Sequence, residues 1–103
     1  MQMRHGDVWI EAVEEIPAHA LKVAPGPRGY VLAEGEATGH AHTIEATPDI
    51  QMYEKAGVLY LRVTGESATV QHQEHAAGVI PKGTYRVEKQ YGYSAGMVRR
   101  VID

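Results

Sequence analysis

Apolar and polar positions alternate along most of the chain in short runs, the period-2 pattern of half-buried strands. Residues 7–13 alternate with Val8, Ile10 and Ala12 on one face, until Pro17, which cannot donate to a ladder, ends the segment. Residues 20–23 and 30–34 read as further strands, separated by the turn Pro25-Gly26-Pro27-Arg28-Gly29. Gly35 marks a bend after the second of these. Residues 50–54 and 58–63 pair as a hairpin around Lys55-Ala56-Gly57, and Gly65 predicts another turn. Residues 68–73 place Ala68, Val70 and His72 on one face. After a tight turn at Pro81-Lys82-Gly83, residues 84–90 do the same with Tyr85, Val87 and Lys89, and residues 97–102 form a last strand. This gives eight or nine short strands and no helical period longer than one turn. The only rival, a helix over 11–21, is broken by Pro17. The expected fold is all-β, a single small antiparallel barrel or jelly roll over 1–103.

Composition agrees. Val, Ile and Thr number 23 against 4 Leu, and Cβ branching suits a pleated surface. At 103 residues there is room for one core. Cysteine is absent, which excludes disulfides, thiolate catalysis and Cys-ligated zinc or iron–sulfur sites. Net charge is −3 with only 10 Lys and Arg, so no nucleic-acid partner is expected. No apolar run approaches a membrane span and no signal peptide is evident, so the expected location is cytoplasmic.

The candidate chemistry lies in the histidines. Four of the six form two tight pairs, His40-Ala41-His42 and His72-Gln73-Glu74-His75. On a strand, residues two apart share a face at about 6–7 Å between Cα atoms, close enough for two imidazoles to reach one metal ion. Gly39 beside the first pair lets the backbone bend. The spacing of three works if the strand ends or bulges at Gln73-Glu74. A divalent transition metal (Zn, Fe, Ni, Mn or Cu) held by His40, His42, His72 and His75 is the expectation. Glu74 is the one candidate for proton transfer. His5 and His19 are expected as ordinary surface histidines, and Arg4-His5-Gly6-Asp7 as a turn before the first strand. Trp9 reads as core or subunit interface. Tyr85, Tyr91 and Tyr93 read as packing on the sheet.

At these residues the chain resembles the cupin superfamily. Gly35, followed by His40-Ala41-His42 and Glu45, is similar to the first cupin motif, although Glu45 falls one residue early and the later Gly is missing. Gly78 with Pro81-Lys82-Gly83 is similar to the first half of the second motif, whose His is absent. The resemblance implies a double-stranded β-helix with a metal in its mouth. The run of Arg4-His5-Gly6-Asp7, both histidine pairs and Gly83-Thr84-Tyr85-Arg86-Val87 also resembles a small uncharacterised prokaryotic and phage-associated family. A further likeness, of residues 6–16 and 29–35 to ten-kilodalton co-chaperonins, stops at the first half. Three function classes stay open. One is a metal-dependent enzyme acting on a small molecule. The others are a metal-stapled binding module and a metal-free barrel that binds or oligomerises, with a homodimer as one way to cover exposed edges.

Overall fold

The computed structural model describes residues 1–34, 40–73, 75–89, 91–94 and 97–100. The expectations placed on Gly35, Gly39, Glu74 and the side chains of Tyr91 and Tyr93 lie outside the described residues. Ten strands form: β1 (Gln2–His5), β2 (Val8–Ala12), β3 (Leu21–Val23), β4 (Tyr30–Glu34), β5 (Ala41–Ile44), β6 (Ile50–Lys55), β7 (Val58–Gln71), β8 (Gly78–Lys89), β9 (Tyr91–Ser94) and β10 (Met97–Arg100). Among the described residues there is no helix, and so none long and apolar enough to cross a membrane. The all-β expectation holds.

Strands β1 to β8 make one antiparallel sheet in the order β1-β2-β8-β7-β5-β4, with β6 also on β7 and β3 on β6. The hairpin β9–β10 stands as a separate two-stranded ladder. Among the described residues no ladder joins β1 to β4, so hydrogen bonding leaves the sheet open. It is nonetheless strongly curled. His5 on β1 and His42 on β5 stand four strand spacings apart along the sheet, about 19 Å if it were flat. Their ring nitrogens are 2.9 Å apart. Lys89, at the end of β8, likewise donates to the backbone carbonyl of Glu34, at the end of β4.

The curl originates in β7 and β8, the two longest strands. Their register pairs Val63 with Gly83, then Ser67 with Pro81, so Thr64, Gly65 and Glu66 oppose Lys82 alone. Such a bulge bends a strand pair. It also corrects two sequence expectations. Gly65 makes no turn, because β7 runs on through the bulge. Pro81-Lys82-Gly83 makes none either. Its proline is tolerated inside β8 because β2 pairs only with Tyr85–Lys89, leaving Pro81 on an open edge. Below the bulge β7 pairs with β6, and above it with β5.

The inward faces follow parity. Val8 and Ile10, Leu61 and Val63, Ala68 and Val70, and Tyr85 and Val87 are all buried in one cluster with residues of β4, β5 and β6. Ala12 shares the face of Val8 and Ile10, as expected, but at the end of β2 it is exposed. The outer face of β2 and β8 carries Trp9, half-buried, and the ion pair of Arg86 with Glu11 at 2.5 Å. At the β6–β7 hairpin both loop residues take positive φ, Ala56 at 52° and Gly57 at 80°, as a type I′ turn requires.

Two tests follow from this packing. Gly29 has φ +86°, and a Cβ there would stand 2.5 Å from the Ile44 carbonyl oxygen. Gly29→Ala should therefore cost about 2–4 kcal/mol in a urea titration. The Tyr85 hydroxyl donates to the Pro81 carbonyl at 2.5 Å, and burial raises its pKa above 10.0. The folded state holds that proton more tightly than the unfolded chain. This stabilisation is complete below about pH 10 and is lost as pH rises through the raised value. Thermal unfolding followed between pH 8 and 11 should show a smaller alkaline loss in Tyr85→Phe than in the wild type.

Candidate functional site

The sheet's curl gathers five of the six histidines at one end. His5 closes β1, His42 lies in β5, and His40 immediately precedes β5. His72 follows the last residue of β7, and His75 lies in the connection to β8. Parity explains the inward aim of three of them: His5 shares a face with Met3, His42 with Ile44, and His72 with Ala68 and Val70. The strand ends at Gln71, which is what a spacing of three between His72 and His75 demanded. The Gln73 side-chain carbonyl then accepts the Ala41 N–H at 3.0 Å, extending the β5–β7 ladder by one side-chain bond and fixing the loop beside His42.

His42 is the hub, with no exposed surface. Its ring centroid lies 5.0 Å from that of His5, 4.4 Å from His72 and 5.9 Å from His75. His72 in turn stands 4.7 Å from His75 and 5.7 Å from His40. The four residues expected from sequence thus come together. His5, expected at the surface, joins them at 5% exposure, because the sheet's curl carries the end of β1 across to β5. His19 is exposed, as expected, at φ 66°.

Two charged residues complete the cluster, and sequence reasoning missed both. Asp7 sits in the two-residue turn between β1 and β2, where Gly6 has φ +62° and Asp7 does not take positive φ, the pattern of a type II′ hairpin. Its carboxylate is 1% exposed, with Oδ1 3.3 Å from His42 Nε2 and Oδ2 3.4 Å from Lys89 Nζ. Lys89 was visible as the third member of the Tyr85–Val87 face, and a Gly-Asp pair ahead of an alternating run is a hairpin signal.

The hydrogen-bond roles along this string are constrained. At one end, His5 Nε2–H donates to the Ala76 carbonyl at 2.8 Å, because a carbonyl can only accept. At the other end, His42 Nε2 faces an acceptor carboxylate. Between them the two Nδ1 atoms meet at 2.9 Å. If each ring carried only its Nε2 proton, two lone pairs would point at one another. With the Asp7 charge favouring a proton on His42 Nε2, two neutral imidazoles leave their Nδ1 lone pairs face to face. A third proton answers them on the Nδ1–Nδ1 line, whereas a metal ion, whose bonds to nitrogen are longer than half of 2.9 Å, fits only off that line. Among the described residues, no group of three or more His, Asp or Glu is arranged so that it could hold a metal ion as it stands.

Comparison with known proteins places the chain in a family without placing the site. A family model described as Domain of unknown function (DUF8820) matches residues 4–90, and the chain belongs to that family. The match spans His5, Asp7, both histidine pairs and Lys89. No curated protein and no solved structure matches the chain.

Because His42 answers both His5 and Asp7 inside the protein, its loss strands buried polar partners. His42→Ala should cost about 3–5 kcal/mol in a denaturant titration, the range for breaking a buried charged pair. His19→Ala should fall within about 0.5 kcal/mol of wild type, as exposed substitutions do.

Proposed function

We propose that this domain binds a transition-metal ion at its histidine cluster, between His5 and His42. The observation that carries the reading is the facing pair of Nδ1 atoms, 2.9 Å apart, whose outer nitrogens are already engaged by Ala76 and Asp7. Metal-ligating histidines characteristically donate their other N–H to a carbonyl or a carboxylate, which fixes tautomer and ring orientation. His5 has that support from the Ala76 carbonyl, and the Asp7 carboxylate stands 3.3 Å from His42 Nε2. An ion at about 2.05 Å from each Nδ1 would subtend about 90° between them, an ordinary angle for six-coordinate or square-planar ions. His72 and His75, with ring centroids 4.4 and 5.9 Å from that of His42, and His40 beside His72 would supply further nitrogen donors after side-chain rotation. All-nitrogen ligation suits Zn, Fe, Ni, Mn or Cu.

The ion would act first as a staple. The histidines come from the end of β1, from β5 and from the β7–β8 connection, so one ion would tie three parts of an open sheet. A domain of this size gains folding free energy from such a tie. A second reading, a metal-dependent enzyme, is favoured by a shallow cleft of about 200 Å³ beside His72, lined by Ala41, Thr43, Gln71 and Gln73. An open ligand position facing that cleft would let the ion polarise a small molecule.

Elemental analysis of untagged protein by inductively coupled plasma mass spectrometry, before and after chelation, tests the reading. About one equivalent of a transition metal is expected in the wild type, with loss in His42→Ala and reduced retention in His40→Ala. Added metal should raise the midpoint of thermal unfolding. Full metal content in both variants, or no metal and no thermal shift with Zn, Fe, Ni, Mn or Cu, would overturn it.

A further inference from the structure

We infer that Asp7 and Lys89 set the metal affinity of the histidine centre from opposite sides, Asp7 strengthening it and Lys89 restraining it. This deepens the metal reading above and rests on it. Neither residue belongs to the histidine pairs, and neither is a proposed ligand; both are positioning residues acting through His42.

Asp7 is built for the task. It is 1% exposed, and the β1–β2 turn sets its carboxylate against His42 Nε2 at 3.3 Å. A carboxylate there can only accept, so it holds the Nε2–H tautomer and leaves the Nδ1 lone pair for a metal. The negative charge also raises the donor strength of the ring. A neutral amide in its place can present either its oxygen or its NH₂ to His42, and so no longer enforces the tautomer.

Lys89 opposes this through the same carboxylate. Its ammonium lies 3.4 Å from Asp7 Oδ2, the oxygen turned away from His42, and its side chain is 15% exposed. The Glu34 carbonyl accepts a second bond from it, so the ammonium is anchored at the site's edge. One positive charge there neutralises Asp7 before any metal arrives, and it repels an incoming cation. Removing it takes one positive charge away from a buried carboxylate, so a cation in the histidine cluster meets a stronger negative field. The variant without the lysine should therefore be less stable without metal and bind metal more tightly. A merely structural role predicts that both substitutions weaken binding.

The experiment titrates Co²⁺ and Zn²⁺ into wild type, Asp7→Asn, Lys89→Met and Lys89→Arg, with a competing chelator to fix the dissociation constant. The Co²⁺ absorption bands report the ligand set, and thermal unfolding is followed with and without metal. Asn suits a turn position, Arg keeps the charge, and Met keeps an apolar stem of similar length, so each variant has a reason to fold. Expected are a ten- to hundredfold weaker Kd in Asp7→Asn, in line with losses of such partners elsewhere, and a severalfold tighter Kd in Lys89→Met. Lys89→Arg should return to the wild-type value, with the same Co²⁺ bands throughout. Weaker binding in Lys89→Met, or unchanged binding in Asp7→Asn, overturns this inference while leaving the metal site standing. A wild type that binds neither ion overturns the metal reading itself.

Discussion

The interaction on which the rest depends is the burial of Asp7. A carboxylate removed from water costs several kcal/mol unless positive charge and hydrogen bonds meet it. Here two groups remote in sequence face it, His42 from β5 and Lys89 from the last position of β8, with His5 of the neighbouring β1 behind His42. Pairing of β2 with β8 and the β1–β2 hairpin bring Lys89 and His5 close, but His42 can join them only if the sheet is curled tightly, so the polar end of the molecule and the bend of its sheet are one requirement. The apolar cluster fills the inside of the curl, and the charged string closes its end.

The bend in turn belongs to the β7–β8 pair. A flat, regular hairpin of that length would hold β2 and β5 far apart on opposite flanks. The bulge at Thr64-Gly65-Glu66 instead splits β7 into a lower half serving β6 and an upper half serving β5. The upper half is where parity sends His72 inward, next to His42. A local irregularity in one hairpin thus decides which histidines become neighbours.

Much of this was legible in the residues. The strand pattern located β2, β4, β6 and the two ends of the long hairpin, and for β2 and those ends of β7 and β8 alternation gave the face that enters the core. The paired histidines at 40, 42, 72 and 75 stood out by spacing alone, and they do lie together. What could not be read was anything depending on the curl. His5 is one histidine in a four-residue edge strand, and nothing local distinguishes it from the exposed His19. Its burial comes from β5, which lies across the sheet. Gly65 and Pro81 look like turn residues in isolation. They occupy opposite sides of one bulge, a relation visible only once the two strands are paired. Asp7, too, was hidden, because its lysine partner lies far along the chain and only the β2–β8 ladder, which sets Lys89 opposite Val8, brings the two together.

The long hairpin also orders events in time. β7 and β8 adjoin in sequence and form most of their contacts across a short connection, so their pairing closes only small loops. The pairing of β2 with β8, which sets Trp9 opposite Glu88, must instead close almost the whole chain. Loop-closure entropy makes such a step slow relative to local pairing. The histidine end of the molecule, which needs β1 in place, is therefore completed last. A newly made chain presents its imidazoles separately to the solution until β1 and β2 dock and Val8 and Ile10 complete the core. A metal ion bound there, as proposed, would meet an almost finished fold.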